Sequence, residues 1–209
     1  MTFKKPLRIG TRKSALALIQ TDMVVTALKN AHPDLAADGA IEIVKLETLG
    51  DTTQKANLSL ADHGGKALWA SEHEQAMRDD IIDCAVHSVK DIPGILDDDM
   101  SMPFFLPRED VRDVFLSSTV DHFLDLPDGA SIGTSSPRRA AMVLAKRPDL
   151  NIVTFRGNIG TRLKKIANGE VDGTFLAAAG MIRGGYEDMI QTILEPDEML
   201  PAVGQGAVG

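Results

Sequence analysis

The chain has few of the residues on which several protein classes depend. It contains one cysteine, one tryptophan and one tyrosine among 209 residues. A single cysteine excludes an internal disulfide framework and fits a reducing cytosol. No apolar run reaches the length of a membrane span, and no hydrophobic stretch follows the basic N-terminus as it would in a secretory signal. These absences predict a cytoplasmic globular protein without a membrane partner.

Several ligand classes also lack their usual motifs. There is no phosphate-binding Walker loop and no dinucleotide-binding glycine fingerprint. The five histidines do not have the spacing of metal ligands, so we expect no metal site. Cys84 lies within an apolar stretch, which favours a core residue over a nucleophile. The net charge of −8 argues against a general affinity for nucleic acid.

One cationic stretch contrasts with the acidic remainder. Residues 133–183 carry nine Lys or Arg and three Asp or Glu, a balance of +6, which leaves −14 for the rest of the chain. Arginines that follow short polar turns are typical of sites that bind carboxylates or phosphates, whereas scattered ones are usually solvated. The stretch therefore predicts a polyanionic ligand. Five of its arginines lie in or beside turns rich in Gly, Ser or Thr: Arg138, Arg139, Arg156, Arg162 and Arg183.

Strand-forming segments alternate with helix-forming segments along the whole chain. This alternation predicts an α/β fold with mainly parallel sheets flanked by helices, and with ligand-binding residues just after the strands. Two such parts, with chain crossings near Met100–Pro107 and Pro196–Pro201, would face each other across a cleft. The predicted strands are Leu7–Gly10, Ile41–Leu46, Asp83–His87, Val114–Leu116, Ser131–Gly133, Asn151–Phe155 and Thr174–Ala177.

Polar residues mark where the helices begin. Ser14 suits the N-cap of a helix over Ala15–Ala31, and Ser136 followed by a proline suits another helix start. Ser71-Glu72-His73-Glu74 matches a capping box, and a further helix is predicted over Thr161–Asn168. The polar segment Gly50–Lys66 has no convincing period and is a candidate mobile loop.

Two arginine motifs are the strongest candidates for ligand binding. Arg138 and Arg139 lie in the first turn of a predicted helix, where unpaired N–H groups and the helix dipole also favour an anion. Arg156 and Arg162 flank a turn with two glycines, which permit close approach of a ligand. The alternatives are a capped surface helix with solvated arginines and a plain strand-to-helix connection. The two motifs together favour ligand binding, because both follow strands.

A third candidate lies at the end of the strand that contains Cys84. Ser88, Lys90 and Asp91 follow it directly, and the Asp91 carboxylate could move a proton or stabilise a developing cation. The alternative is a surface ion pair of Lys90 with Asp91. His87 is expected to be a structural histidine.

Taken together, these motifs resemble the porphobilinogen deaminase (hydroxymethylbilane synthase) family. The resemblance spans nearly the whole chain, in the family's order. It rests on Gly10-Thr11-Arg12-Lys13-Ser14, Gly64-Gly65-Lys66, Ala85-Val86-His87-Ser88-Val89-Lys90-Asp91-Ile92-Pro93, both arginine motifs, Leu176-Ala177-Ala178-Ala179-Gly180 and Leu200-Pro201-Ala202-Val203-Gly204-Gln205-Gly206-Ala207. It implies a monomeric cytosolic enzyme that joins four porphobilinogen molecules head to tail with release of ammonia. It also implies a dipyrromethane cofactor and two domains like those of type II periplasmic binding proteins, with the active site between them.

The resemblance implies a role for each matching residue. Asp91 would be the catalytic carboxylate. Substrate carboxylates would be held by Arg12, Ser14, Arg156 and Arg162, and Arg183 would serve the growing chain. The cofactor would be held by Ser88, Lys90, Thr134, Ser136, Arg138, Arg139 and Gln205.

The chain departs from the family pattern in two places. The family has a third domain with the cofactor-bearing cysteine, and this chain stops at Gly209 with only Cys84, which does not match that position. We expect a fragment or a truncated relative, with domain 1 over 1–99 and 200–209 and domain 2 over 105–195. In the loop, Asp62 stands where a basic residue is common, and Trp69 replaces the usual aromatic. The alternative function is a non-catalytic module that binds polycarboxylates on the same two-domain scaffold.

Overall fold

The computed structural model describes residues 6–48 and 70–209. They belong to two compact units: unit 1 comprises Met1–Arg108 with Ala207–Gly209, and unit 2 comprises Glu109–Gly206. The chain thus passes between the units twice, after residue 108 and after residue 206. The sequence interpretation placed these passages near 100–107 and 196–201. No helix in the described ranges is both long enough and apolar enough to cross a membrane.

Unit 1 is built on a small parallel sheet with the strand order β2-β1-β3. Its core lies between this sheet and the long helix α1, where Val24, Val25 and Leu28 pack against a cluster that includes Ile9 and Val86. Short 3-10 turns follow α1 and β3. The bounds are β1 Leu7–Arg12, α1 Ala15–Ala31, β2 Ile41–Leu46, α2 Ser71–Arg78 and β3 Cys84–Ala85, with the 3-10 turns at Pro33–Ala36 and Val89–Asp91.

The N-cap predicted for α1 is confirmed. The Ser14 hydroxyl accepts a hydrogen bond from the Ala17 N–H at 3.3 Å, and the helix covers the predicted residues. It ends at His32, whose backbone N–H bonds to the Leu28 carbonyl before Pro33 prevents continuation. Because Ser14 follows β1 by two residues, the cap also fixes the turn that carries Arg12.

Unit 2 contains a five-stranded sheet with the order β6-β5-β7-β4-β8. Strands β5, β6 and β7 are parallel, whereas β4 runs antiparallel to both β7 and β8. Because β4 opposes both of its neighbours, the other four strands run in one direction, and the expectation of a mainly parallel sheet is confirmed with β4 as the exception. The bounds are β4 Asp113–Leu116, β5 Ser131–Gly133, α3 Pro137–Lys146, β6 Asn151–Val153, α4 Ile159–Ala167, β7 Gly173–Ala177, α5 Ala178–Arg183 and β8 Thr192–Leu194, with 3-10 turns at Phe123–Asp125 and Glu187–Met189.

Two of the three apolar clusters in the described part of unit 2 contain residues of β4. The larger contains Phe115, Phe123 and Phe175, whose ring centroids lie 5.4 to 6.3 Å apart in tilted and edge-to-face pairs. The second surrounds Val114, Leu116 and Met181, and Ile159 and Leu163 of α4 and the single tyrosine, Tyr186, pack against it. Successive residues of β4 thus alternate between the two clusters, which fixes this strand in the centre of the unit.

Several element boundaries differ from the sequence prediction; β6, for example, ends at Val153 instead of Phe155. Helix α2 begins at Ser71 itself, and the Ser71 hydroxyl bonds to the Glu72 side chain, so the predicted capping box is wrong. Strand β3 is two residues long instead of five. Helix α4 starts at Ile159 because Asn158 supplies the cap by accepting the Thr161 N–H at 2.8 Å. Helix α5 and strand β8 had no predicted counterpart. The Gly50–Lys66 loop lies outside the described residues.

Candidate functional site

The first candidate site is a pocket in unit 1 at the carboxyl ends of its parallel strands. Strand β1 ends at Arg12 and pairs in register with β3, so Arg12 and the residues after Ala85 leave the sheet at the same edge. The pocket has a volume of about 80 Å³. Five residues singled out from the sequence line it: Arg12, Ser14, Ser88, Lys90 and Asp91.

The segment after β3 is held by the last residues of the chain. His87 and Gly209 exchange two backbone hydrogen bonds of 2.9 and 3.0 Å, and Ser88 forms an antiparallel bridge with Val208. Val208 is fully buried in the core of unit 1. Residues 207–209 therefore fix the backbone from which Ser88, Lys90 and Asp91 project.

Asp91 closes a 3-10 turn in this pocket. Its backbone N–H bonds to the Ser88 carbonyl at 3.0 Å, and its side chain is half-buried. Among the described residues, no hydrogen bond or ion pair engages the Asp91 carboxylate. The predicted surface ion pair of Lys90 with Asp91 is thus not formed there. A half-buried carboxylate that lines the same pocket as two basic residues, Arg12 and Lys90, can respond to positive charge on a bound molecule.

Two further residues of the pocket bear on its chemistry. Gln20, buried on α1, donates from Nε2 to Ser88 Oγ at 2.9 Å, and its Oε1 lies 3.0 Å from the same hydroxyl. Burial, with the charges of His73 and Arg12, lowers the pKa of His87 to about 3, so the ring is neutral at pH 7. Sequence reasoning missed Gln20, although its position four residues after Leu16 and four before Val24 places it on the apolar face of α1.

The second candidate site is the arginine group of unit 2. Strands β5 and β6 are parallel and in register at Gly133 and Val153, so the turns that follow them open on the same edge of the sheet. Ser135 joins these turns, donating to the Phe155 carbonyl at 3.1 Å and accepting its N–H at 3.2 Å. The sheet thereby brings the two arginine motifs together.

The first motif is engaged in a buried network. Ser136 caps α3 as predicted, and its hydroxyl accepts the Arg139 N–H at 3.4 Å, while Thr134 Oγ1 accepts the Ser136 N–H at 3.1 Å. The side chains of Arg138 and Arg139 both donate to Asp113, which is 0% exposed. Burial raises the pKa of this carboxyl, but the two guanidinium charges outweigh it and hold the pKa at about 2. Sequence reasoning missed Asp113, which begins an apolar strand.

Among the described residues, the three remaining arginines of the predicted set, Arg156, Arg162 and Arg183, have no carboxylate partner. Arg156 is 6% exposed, and its Nε has no acceptor in the part of the chain that the structure describes. Arg162 Nε donates to the Gly157 carbonyl at 2.9 Å, and burial, with the positive charges of Arg139 and Arg156, lowers the pKa of Arg162 to about 10. Gly157 has φ +126°, a conformation that favours glycine, and a Cβ there would collide with Thr161.

Arg183 lies at the end of α5, beside the second passage of the chain. Its Nη2 donates to the Gly206 carbonyl at 2.9 Å, and its buried Nε has no partner among the described residues. Burial lowers the pKa of Arg183, and Glu109 partly opposes that effect. Gly206 itself has φ +85°, and a Cβ there would collide with the backbone oxygen of Glu109. The adjacent Gln205 is buried and bonds to Asp113.

The structure thus divides the sequence-predicted residues between two sites. Unit 1 carries the five pocket residues. Unit 2 holds a set with an excess of positive charge: Thr134, Ser136, Arg138, Arg139, Arg156, Arg162, Arg183 and Gln205. Within residues 6–48 and 70–209, no group of three or more His, Cys, Asp or Glu could hold a metal ion. Unit 2 thus presents groups that can bind carboxylates, and the pocket of unit 1 contains a carboxylate, Asp91, without a cation partner among the described residues.

Comparison with known proteins agrees with this chemistry. The family model described as porphobilinogen deaminase, dipyromethane cofactor binding domain, matches residues 7–209. The porphobilinogen deaminase of Nitrobacter winogradskyi is 52% identical over 200 residues, which cover 96% of this chain and 62% of that protein. The enzyme of Paracoccus denitrificans is 48% identical over 99% of this chain and 64% of its own length. The chloroplastic enzyme of Oryza sativa is 46% identical over 97% and 56%.

The chain belongs to the porphobilinogen deaminase family. It spans about three fifths of the length of the curated relatives that it matches. Among solved structures it is similar to the periplasmic aliphatic sulphonate binding protein SsuA from Escherichia coli, with 11% identity, a TM-score of 0.49 and coverage of 99% of this chain and 62% of that one. The two sheets with their flanking helices confirm the predicted α/β class.

The family implies a dipyrromethane group, and the residues present fit its carboxylates. The arginine group of unit 2 offers buried guanidinium atoms, Arg156 Nε and Arg183 Nε, that lack acceptors among the described residues. An anion would supply those acceptors. Cys84, the single cysteine, lies half-buried in β3, and burial raises the pKa of its thiol. It is therefore a poor nucleophile and does not belong to either candidate site.

Proposed function

We propose that the intact protein is a hydroxymethylbilane synthase, a transferase of tetrapyrrole biosynthesis. It would join four porphobilinogen molecules head to tail and release one ammonia at each step. The proposal is supported by family membership and by the relatives named porphobilinogen deaminase. The observation that carries it is the set of guanidinium groups without carboxylate partners in the described part of unit 2.

The proposal explains why several arginines are needed. Each porphobilinogen unit adds two carboxylates, so a growing chain requires a succession of guanidinium forks. We assign substrate carboxylates to Arg12, Ser14, Arg156, Arg162 and Arg183, and cofactor carboxylates to Ser88, Lys90, Thr134, Ser136, Arg138 and Arg139. When bound, dipyrromethane supplies the pyrrole carbon to which the first substrate is joined.

Asp91 is assigned the charge-sensitive step. The C–N bond of the aminomethyl group breaks, ammonia leaves, and the substrate becomes a methylene-pyrrole cation. Its methylene carbon then bonds to the free α-carbon of the acceptor pyrrole, which releases a proton. A half-buried carboxylate stabilises such a cation and can hold the pyrrole N–H. The Asp91 carboxylate is suited to this role because no ion pair among the described residues occupies it.

The test compares Asp91→Asn with Asp98→Asn in the intact native protein. Asp98 is an exposed acid of unit 1, so its variant controls for a change of one charge. We expect Asp91→Asn to lower kcat for ammonia release from porphobilinogen by roughly 100-fold or more while porphobilinogen still binds. Unimpaired turnover would refute the assignment of Asp91. Binding of porphobilinogen by the wild type without any ammonia release would instead favour the polycarboxylate-binding module.

We further propose that the protein acts as a cytoplasmic monomer without nucleic-acid or membrane partners. The single cysteine and the net charge of −8 support this proposal. Light scattering of the purified native protein and fractionation of its cells would test it, and recovery in the membrane fraction would contradict it.

A further inference from the structure

A buried carboxylate organises the first arginine motif. Asp113 is fully buried at the start of β4 and accepts four side-chain hydrogen bonds. Its Oδ2 accepts from Arg138 Nη2 at 2.7 Å and from Arg139 Nε at 3.1 Å. Its Oδ1 accepts from Arg139 Nη2 and from Gln205 Nε2, both at 2.8 Å. These bonds fill the acceptor positions of the carboxylate, so no ligand contacts it directly.

The two arginines are held to different extents. Arg139 forms the bidentate fork with Asp113 and also donates from Nη1 to the Phe175 carbonyl at 2.8 Å; its side chain is 8% exposed. Arg138 gives Asp113 one N–H and bonds through Nη1 to the Leu200 carbonyl; its side chain is 23% exposed. Arg138 therefore retains N–H groups for a ligand, whereas Arg139 is largely consumed by the protein.

Gln205 supports the same carboxylate from the other side. Its amide nitrogen bridges Asp113 and the Val111 carbonyl, 2.7 Å away, and the side chain is 1% exposed. Because Gln205 is buried and hydrogen-bonded in this way, we expect its side chain to contact Asp113 and not the cofactor. Together, Arg138, Arg139 and Asp113 carry a net charge of +1, so the carboxylate does not neutralise the positive charge of the site.

We propose that Asp113, braced by Gln205, is a positioning residue that aims the Arg138 guanidinium at the anionic ligand. The inference rests on the proposed function, under which Arg138 would hold a carboxylate of the dipyrromethane cofactor. Misplacing that carboxylate would shift the acceptor pyrrole to which porphobilinogen is joined, so the KM for porphobilinogen reports on the position of Arg138. The shared Oδ2 oxygen sets the angle between the two guanidinium planes, because Arg138 and Arg139 must both reach it. Preorganised donors bind an anion without first being ordered, which raises affinity.

The sign of the effect separates positioning from simple charge balance. A counter-ion that only offsets charge would, when removed, leave the site more cationic and lower the KM for porphobilinogen. A positioning residue would, when removed, release Arg138 and raise the KM. We expect Asp113→Asn in the intact native protein to raise the KM at least tenfold while kcat changes less than threefold. Asp197→Asn, an exposed acid of unit 2, is the matched charge control.

A second variant leaves all charges in place. Gln205→Leu removes only the brace, and we expect a KM increase of about threefold, with the double variant no worse than Asp113→Asn alone. A lowered KM in Asp113→Asn, or an unchanged KM in both variants, would overturn the proposal. If Asp113→Asn does not fold, the Gln205→Leu result decides.

A spectroscopic experiment tests the positioning role of Asp113 even if the protein does not turn over porphobilinogen. In nitrogen-15 NMR, the Arg139 Nε–H should exchange slowly with water in the wild type, because Asp113 and burial protect it. Fast exchange in the wild type would overturn the positioning role, whatever the ligand. Slow exchange together with absent ammonia release would refute only the proposed function.

Discussion

The two sites differ in the group that each leaves unpaired. The unit 1 pocket contains a carboxylate, Asp91, that pairs with no cation in the described part of the chain. The arginine group of unit 2 contains guanidinium groups, on Arg156, Arg162 and Arg183, that pair with no carboxylate there. A structure that maximised stability would pair such groups, because unpaired buried charge is costly. The contrast is consistent with the roles that we propose, in which Asp91 of unit 1 acts in the reaction and the arginines of unit 2 bind carboxylates.

The contrast extends to how each site treats its polar neighbours. In unit 1, His87 is kept neutral by burial and by nearby positive charge, which leaves Asp91 and the basic side chains as the charges of the pocket. In unit 2, Asp113 offsets part of the charge and leaves an excess. The unit 1 pocket thus presents both signs of charge to a bound molecule, whereas the arginine group of unit 2 presents mainly positive charge.

The strongest test of this contrast removes an unpaired cation. The lowered pKa of Arg162 corresponds to a cost on the order of 3 kcal/mol at neutral pH, and its hydrogen bond to the Gly157 carbonyl returns about 1 kcal/mol. We therefore expect Arg162→Met to raise the free energy of unfolding of the ligand-free protein by about 2 kcal/mol in urea denaturation. Affinity for porphobilinogen should fall in the same variant.

Lys164→Met is the matched control for that experiment. Lys164 is exposed on the same helix, so we expect a change within about 0.5 kcal/mol. A loss of stability in Arg162→Met would mean that Arg162 is a structural residue, and the contrast between the two sites would weaken.

An acid titration tests the paired carboxylate of unit 2. Asp113 has its pKa held at about 2 in the fold, below the value of about 3.9 for an unfolded chain. A depressed carboxyl pKa stabilises the fold fully above about pH 4, and that stability is lost as the pH falls toward 2. The contribution is about 2 kcal/mol, and Asp113→Asn should remove it together with its pH dependence, as followed by circular dichroism.

Asp149 is a useful control for that titration. The Arg147 guanidinium also lowers the pKa of Asp149 to about 2, but this pair lies at the surface. Salt screens exposed pairs far more than buried ones. The acid-dependent loss assigned to Asp113 should therefore persist in 0.5 M salt, and its disappearance there would contradict our assignment.

The smallest effect that we expect is the loss of stability on removing either of two helix caps, one in each site. Ser14 Oγ accepts the Ala17 N–H at 3.3 Å, and Ser136 Oγ accepts the Arg139 N–H at 3.4 Å. Each Ser→Ala change should cost about 1 kcal/mol in thermal unfolding. Ser136→Ala should also loosen Arg139 and raise the KM for porphobilinogen. Equal stability losses with no change of KM in either variant would indicate purely structural caps.

Local signals in the sequence were sufficient for much of the fold. Ser14 and Ser136 with Pro137 marked helix starts because capping depends on neighbouring residues alone. The polar residues after strands, such as Arg156 and Asp91, were found because parallel strands deliver their ends to one edge. The antiparallel direction of β4 could not be foreseen, since strand pairing depends on residues far apart in the chain.

The same limit explains the two functional residues that were missed. Asp113 meets Arg138 and Arg139 across more than 20 residues of sequence, and nothing near Asp113 indicates that it is fully buried. The importance of Gln20 could have been predicted more easily, because a polar residue on the apolar face of α1 needs a hydrogen-bond partner. Its partner, Ser88, lies 68 residues away and is revealed only by the fold.

The packing of Tyr186 gives unit 2 an optical reporter of its own. Tyr186 joins the apolar cluster that also receives Ile159 and Leu163, the residues on either side of Arg162 in α4. The range Glu109–Gly206 contains no tryptophan, and the single one in the chain is Trp69. In a Trp69→Phe background, all intrinsic emission would therefore come from one ring beside the arginine helix, and anion binding could be followed without a label.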